Sequence, residues 1–350
     1  MITGGALPLL DSRLTGSVAP YTGKPAMVPH NGQRRWSMVH YGVFLPLLPE
    51  PYRYLNTMTL IGAPGVEMFD TDENAAADAR NTTTVFSSTA YNGENFFKAY
   101  DTAVDCEFAD DGSHLRWGDD LTIDVAGDTA HVVGSYPGFS VDFTSTITDE
   151  VSYFVRTPVY DHLSLLAPFR GTLTDERGTT EISGLGTFEY AQAMTPQSVV
   201  RQPMPTALKL PGDFFTYQII QLDEQRQLLL TCVGARDSIA CLLVHLRTLG
   251  EPARVFDDVS FEVLDYGDPL VDSQGRAMRV PTRFRWLVRD GGTEILNLEG
   301  TPDAPWRSGH GRGYVSAYSY TGEVFSDTVD GSGYIEWIDT RDEPRPNWCR

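Results

Sequence analysis

Apolar and polar residues alternate with a period of two along most of the chain, the spacing that places successive side chains on opposite faces of a strand. Leu121, Ile123 and Val125 alternate with Asp120, Thr122 and Asp124. Gly127-Asp128 then supplies a turn before a second run, Ala130-His131-Val132-Val133. After Pro137-Gly138 the alternation resumes over residues 139–147, so the segment predicts a three-stranded antiparallel meander. Nearer the C-terminus, Val259, Phe261 and Val263 alternate with Ser260 and Glu262. Phe284, Trp286 and Val288 stand among Arg283, Arg285 and Arg289. One face is apolar and the other charged, as in antiparallel strands with one wet side. Helical periodicity is scarce. Residues 73–80 are Ala-rich but lack an apolar stripe and predict at most a surface turn of helix. Residues 236–249, where Ile239, Cys241, Leu243 and His245 alternate, predict a strand. Many short strands, punctuated by 32 Gly and 22 Pro, predict an all-β sandwich or barrel.

An internal repeat divides this pattern in two. Gly184-Leu185-Gly186-Thr187-Phe188-Glu189-Tyr190 and Gly331-Ser332-Gly333-Tyr334-Ile335-Glu336-Trp337 share the order Gly-x-Gly-x-apolar-Glu-aromatic. Each copy is preceded by an aromatic-x-Gly, Phe169-Arg170-Gly171 and Tyr320-Thr321-Gly322. Two motifs in the same order imply two related all-β halves. The Pro-rich stretch Arg201-Gln202-Pro203-Met204-Pro205 suits a linker, giving expected domains at residues 1–205 and 206–350.

Charge narrows the partners. With 47 acidic and 27 basic residues among 350, the formal net charge is −20, which disfavours nucleic acid and anionic membrane surfaces. No apolar run approaches the ~20 residues of a membrane span, and no secretory signal is visible, so a cytoplasmic location is expected. The four cysteines, Cys106, Cys232, Cys241 and Cys349, lack metal-like spacing and read as reduced thiols, with a Cys232–Cys241 disulfide the minor alternative. The histidines show no HxH or HExxH spacing, so no metal site is expected. Nucleophile-elbow, dinucleotide and phosphate-loop motifs are also lacking, so no cofactor is expected. The oligomeric state is not legible.

Several of these segments resemble the lipocalin-like superfamily of carotenoid 1,2-hydratase (hydroxyneurosporene synthase), AttH-type proteins and decalin-forming Diels-Alderases. The resemblance rests on the duplicated Gly-x-Gly-x-x-Glu strand, on Tyr160-Asp161-His162, on residues 275–286 and on Gly311-Arg312-Gly313-Tyr314 leading into Tyr320-Thr321-Gly322. Together with residues 36–44 it is most similar to an actinobacterial branch of that superfamily. It implies two tandem lipocalin-like antiparallel β-barrel or half-barrel domains related by duplication, with a ligand site at or between them. In the hydratases an Asp in a Trp-x-Asp-His-like segment is implicated in protonating an alkene, and the matching position here is Asp161, followed by His162. The preceding aromatic is Tyr160, and the Trp that often follows is absent from Leu163-Ser164-Leu165-Leu166, a departure that weakens the hydratase assignment.

Protonating an alkene near pH 7 needs a carboxylic acid kept neutral by burial. Asp161, between Tyr160 and an apolar run, is the candidate acid with His162 its partner; the competing reading is a polar pair ending a strand. Glu189 and Glu336 alternate with aromatics and are expected on the face opposite them, toward solvent or a barrel lumen, either as duplicated structural anchors or as ligand contacts. Trp36, His40, Tyr41, Tyr160 and Trp286 complete the candidate ligand-binding set. The expected ligand is an apolar small molecule of isoprenoid, steroid or polyketide type. It is either transformed by cofactor-independent, acid-assisted hydration, isomerisation or cyclisation, or bound and carried without chemistry.

Overall fold

The computed structural model describes residues 10–33, 35–236 and 238–341. Strands dominate it, and they form two large antiparallel sheets, one curled into a nearly closed barrel and the other into a half-barrel. The first half contains β1 (Met38–Leu45), β2 (Leu55–Gly62), β3 (Thr82–Thr89), β4 (Asn95–Asp101), β5 (Cys106–Phe108) and β6 (His114–Trp117). The meander follows as β7 (Leu121–Ala126), β8 (Thr129–Tyr136) and β9 (Phe139–Thr146), then β10 (Val151–Arg156) and the long hairpin β11 (Tyr160–Asp175) and β12 (Gly178–Ala193). The second half contains β13 (Phe214–Gln221), β14 (Arg226–Ala235), β15 (Ser238–Thr248), β16 (Glu251–Phe256) and β17 (Val259–Tyr266). A separate small pair, β18 (Leu270–Val271) and β19 (Ala277–Met278), precedes β20 (Pro281–Asp290), β21 (Thr293–Pro302), β22 (Arg307–His310), β23 (Gly313–Val324) and β24 (Asp327–Asp339).

The duplication read from two short motifs extends to the whole topology. The first sheet runs β4-β3-β2-β1-β12-β11-β9-β8-β7, continued by β6 and β5, and the second runs β16-β15-β14-β13-β24-β23-β21-β20-β17. In each, the first strand pairs with the last, and a short strand (β10 or β22) branches off the penultimate one. The repeated motifs have a steric cause. Gly171 crosses β9 so closely that a Cβ would lie 2.2 Å from the Asp142 carbonyl oxygen, and at the equivalent Gly322 it would lie 2.0 Å from that of Asn297. Phe169 then stands opposite Gly184, as Tyr320 stands opposite Gly331.

Residues 73–80 form no α-helix. Two 3-10 turns, Asp72–Asn74 and Ala79–Asn81, take that place, in keeping with the missing apolar stripe. Residues 238–248 form β15 as the alternation predicts. Cys106 and Cys241 are free, so the Cys232–Cys241 bridge does not form. Cys232 is nevertheless disulfide-bonded, which corrects the expectation that all the cysteines are reduced.

Each half keeps an apolar lumen. Tyr41, Trp117, Phe188 and Tyr190 belong to the core of the first, and Phe261, Trp286 and Trp337 to that of the second. The second core does not stop at the domain boundary, because Phe44, Tyr54, Met58, Phe86 and Phe154 of the first half are part of it. Phe44 lies with its ring 6.0 Å from Tyr217 and 5.5 Å from Tyr334, and Tyr54 lies 5.1 Å from Tyr334. The connection between β2 and β3, residues 63–81, straps the seam from outside. Buried Lys209 bridges Asp70 and Asp72 at 2.5 Å each, while Glu67 and Glu73 receive Arg312 and Arg276 at 2.7 and 3.0 Å.

Candidate active site at the seam of the two halves

The residues that meet at the seam are fixed by register. Glu189 stands opposite Gly42 of β1 and Ser164 of β11, so His40, Gly42, Phe44, His162, Ser164 and Glu189 share one face of the first sheet. In the second half Glu336 stands opposite Tyr217 of β13. These faces pack against each other, and the two glutamates from equivalent positions line one cavity of about 30 Å³, room for a water-sized molecule. His40, Tyr160, His162 and Tyr217 line it with them, and Met38, Met58, Leu60, Phe69 and Phe215 supply apolar walls. The glutamates thus face neither solvent nor a lumen, as the sequence suggested, but the partner half.

Equivalent positions have acquired different surroundings. Thr187 donates its hydroxyl to Glu189 at 3.4 Å, and at the corresponding place in the second half Tyr334 donates to Glu336 at 3.1 Å. The strand opposite breaks this symmetry. The Tyr217 hydroxyl crosses the seam and donates to Glu189 at 2.5 Å, whereas the equivalent Gly42 has no side chain to offer Glu336. His162 Nε2 lies 3.7 Å from Glu189 Oε2. Arg247, fully buried, donates to the Ser164 carbonyl and hydroxyl at 3.2 and 3.1 Å and to Gln227. Burial lowers its pKa to about 10, so it stays cationic at neutral pH and its field reaches Glu189 and Tyr217.

These contacts drive the two carboxyls apart. Glu189 is 1% exposed, and burial opposes its charge, yet His162 foremost, then Tyr217 and His40, hold its pKa below the ordinary carboxylate value. Glu336 is equally buried, and desolvation followed by the charge of Glu189 pushes its pKa well above that value despite the Tyr334 hydrogen bond. One carboxylate and one carboxylic acid therefore face a shared space, the arrangement that separates base from acid in acid–base catalysis. His40 is lowered to about 4 by burial and by His162, so it is neutral. Its Nδ1 donates to the Thr59 carbonyl at 2.8 Å, which fixes Nε2 as the bare nitrogen.

Of the residues singled out in the sequence, His40, Tyr160, His162, Glu189 and Glu336 come together here. Asp161 does not. It follows Tyr160 on the opposite face of β11, where Gln192 donates to it at 3.0 Å, and burial raises its pKa. Tyr41 also points to that lumen side, 5.4 Å from Tyr190. Trp36 lines a separate outer cavity of about 180 Å³, whose lining shares only Met38 with the seam cavity. Trp286 is packed in the second core, 4.5 Å from Phe261. Sequence reasoning missed Tyr217 and Arg247. The repeat pairs position 217 with position 42, but Gly at 42 conceals the correspondence, and nothing local marks Arg247 as buried.

A family model matches residues 58–348, that of a family of unknown function, DUF6670. No curated protein matches the sequence. Among solved structures, the chain is similar to an AttH-like protein of Nitrosomonas europaea, with TM-score 0.60 and 13% identity over 93% of this chain and 99% of that one. It is also similar to kievitone hydratase of Nectria haematococca, with TM-score 0.57 and 11% identity over 93% and 97% of the two chains. CghA is similar as well, with TM-score 0.53 and 12% identity over 88% and 90%. At these identities the likeness establishes the two-domain lipocalin-like fold.

Proposed function

We propose, for a chain that belongs to the DUF6670 family, that the seam between its halves is an active site that protonates an apolar small molecule. The substrate class is isoprenoid, steroid or polyketide, and the outcome is hydration, isomerisation or cyclisation. The observation that carries this reading is the pairing of Glu189 and Glu336, equivalent residues that line one largely apolar cavity and whose pKa values are driven in opposite directions. Glu336 is the proton donor. Glu189, supported by Tyr217, His162 and Arg247, is the anion that balances developing cationic charge or takes the proton back. The seam requires no role for Asp161, which faces the other side of the sheet. One structural neighbour is by name a hydratase, which agrees with chemistry of this class.

A cavity of about 30 Å³ is too small for such a substrate, so binding displaces side chains. Met38 and Met58 are flexible enough to yield, and Met38 lines both the seam cavity and the outer cavity that Trp36 lines. The test is incubation of the pure protein with polyenes, terpenoids and polyketides, followed by product analysis. Glu336→Gln is expected to lower turnover about 10²- to 10⁴-fold with binding retained, and Asp161→Asn to leave it intact. Ligand that is retained and recovered unchanged throughout the panel defeats the enzyme reading in favour of a carrier.

A further inference from the structure

We infer that the seam also holds a divalent metal ion of the zinc class, ligated by His40, His162 and Glu189. Donor atoms of these three side chains lie within 4.8 Å of one another. Two imidazoles and one carboxylate are a donor set that suits zinc with an open fourth position, and the adjoining cavity has room for the water that would fill it. Spacing in the sequence shows no such motif because the three donors come from β1, β11 and β12 and meet only through strand pairing.

Three further observations point to a ligand. His162 Nε2 is buried without a hydrogen-bond partner and lies 3.7 Å from Glu189 Oε2. Ligands of a tetrahedral zinc stand roughly 3.3 Å apart, so the pair needs little closure. Each donor is also braced from behind. His40 Nδ1 donates to the Thr59 carbonyl at 2.8 Å, His162 Nδ1 meets the Tyr160 hydroxyl at 3.3 Å, and Glu189 Oε1 accepts from Tyr217 at 2.5 Å. Such outer contacts fix the tautomer and orientation of metal ligands. Lastly, a Cβ on Gly42 would sit 2.7 Å from His40 Nε2, so the glycine keeps open the space in front of the bare nitrogen. This inference rests on the reading of the seam as a reaction site for its purpose, but not for its test.

The test is metal titration of the intact, EDTA-stripped protein, with Zn²⁺ competed against a chromophoric chelator and Co²⁺ followed by its visible absorption. The expected result is one ion per chain and the intense Co²⁺ bands of a four- or five-coordinate site. His40→Ala and His162→Ala should each weaken binding at least ~10-fold. Gly42→Ala, which keeps all three donors, should weaken it too, while Glu336→Gln should leave the stoichiometry at one. Wild-type protein that binds no stoichiometric ion overturns the inference without reference to any variant, as does binding unchanged in both histidine variants. Turnover lost in Glu336→Gln with no metal bound would uphold the acid–base reading and reject this one.

Discussion

At the scale of single residues, the ionisation of the two seam carboxyls differs because His162 foremost, then Tyr217 and His40, favour the anion at Glu189, while burial and that anion oppose charge on Glu336. Tyr217→Phe removes the donor that Glu189 receives across the seam. It should cost about 1–3 kcal/mol of stability at pH 7, read by urea denaturation, because a buried carboxylate loses a hydrogen bond. Arg247→Met leaves the Ser164 carbonyl and hydroxyl and Gln227 without their buried donor and should cost about 1–3 kcal/mol in the same assay. The sequence revealed the glutamates through their repetition, His40 as a polar residue in an apolar stretch, and His162 as the neighbour of Asp161 in the segment that resembles the hydratases. It could not show that four strands from two halves converge on them. Asp161 and His162 illustrate the limit: a strand separates neighbours onto opposite faces, and which face becomes a site depends on what packs against it.

At the scale of elements, the β7–β9 meander was legible because its turns are short and its alternation is clean, each strand having one wet face. The buried strands were harder. β1, β3 and β13 are covered on both faces over nearly their whole length, and there the period of two fades. A further pairing of elements emerges at the far end of the β11–β12 hairpin. Glu94, just before β4, is 2% exposed and is bonded by the Thr89 hydroxyl at 2.6 Å. Burial, with Asp175 of β11 adding to it, pushes its pKa up to about 7. The unfolded chain releases this proton near the ordinary carboxyl value of about 4.3, while the folded chain keeps it to about 7. Between those values the unfolded state binds fewer protons, so stability is fully present below the lower one and declines as pH rises toward the upper. Glu94→Gln should abolish this decline, gaining roughly 3 kcal/mol over wild type at pH 8 relative to pH 4 in denaturation curves.

At the scale of the whole molecule, the second core borrows aromatic residues from the first half, so the two sheets fold as a joint structure. Residues 1–205 and 206–350 expressed separately should each expose a wide apolar face and aggregate. Co-expression should recover a soluble complex, as size-exclusion chromatography would show. The strap over residues 63–81 hangs on Lys209, whose removal leaves Asp70 and Asp72 facing each other. Lys209→Met should destabilise the protein by roughly 3 kcal/mol and make the strap the first site of limited proteolysis. The contrast of Gly42 with Tyr217 also bears on ancestry. A homodimer built from a single repeat must present the same residue at both places, two glycines or two tyrosines, and its two glutamates would then share identical environments. Two copies within one chain are free of that constraint, so each side of the seam can differ alone. The 350-residue length is therefore what permits an acid and a base to arise from the same inherited position.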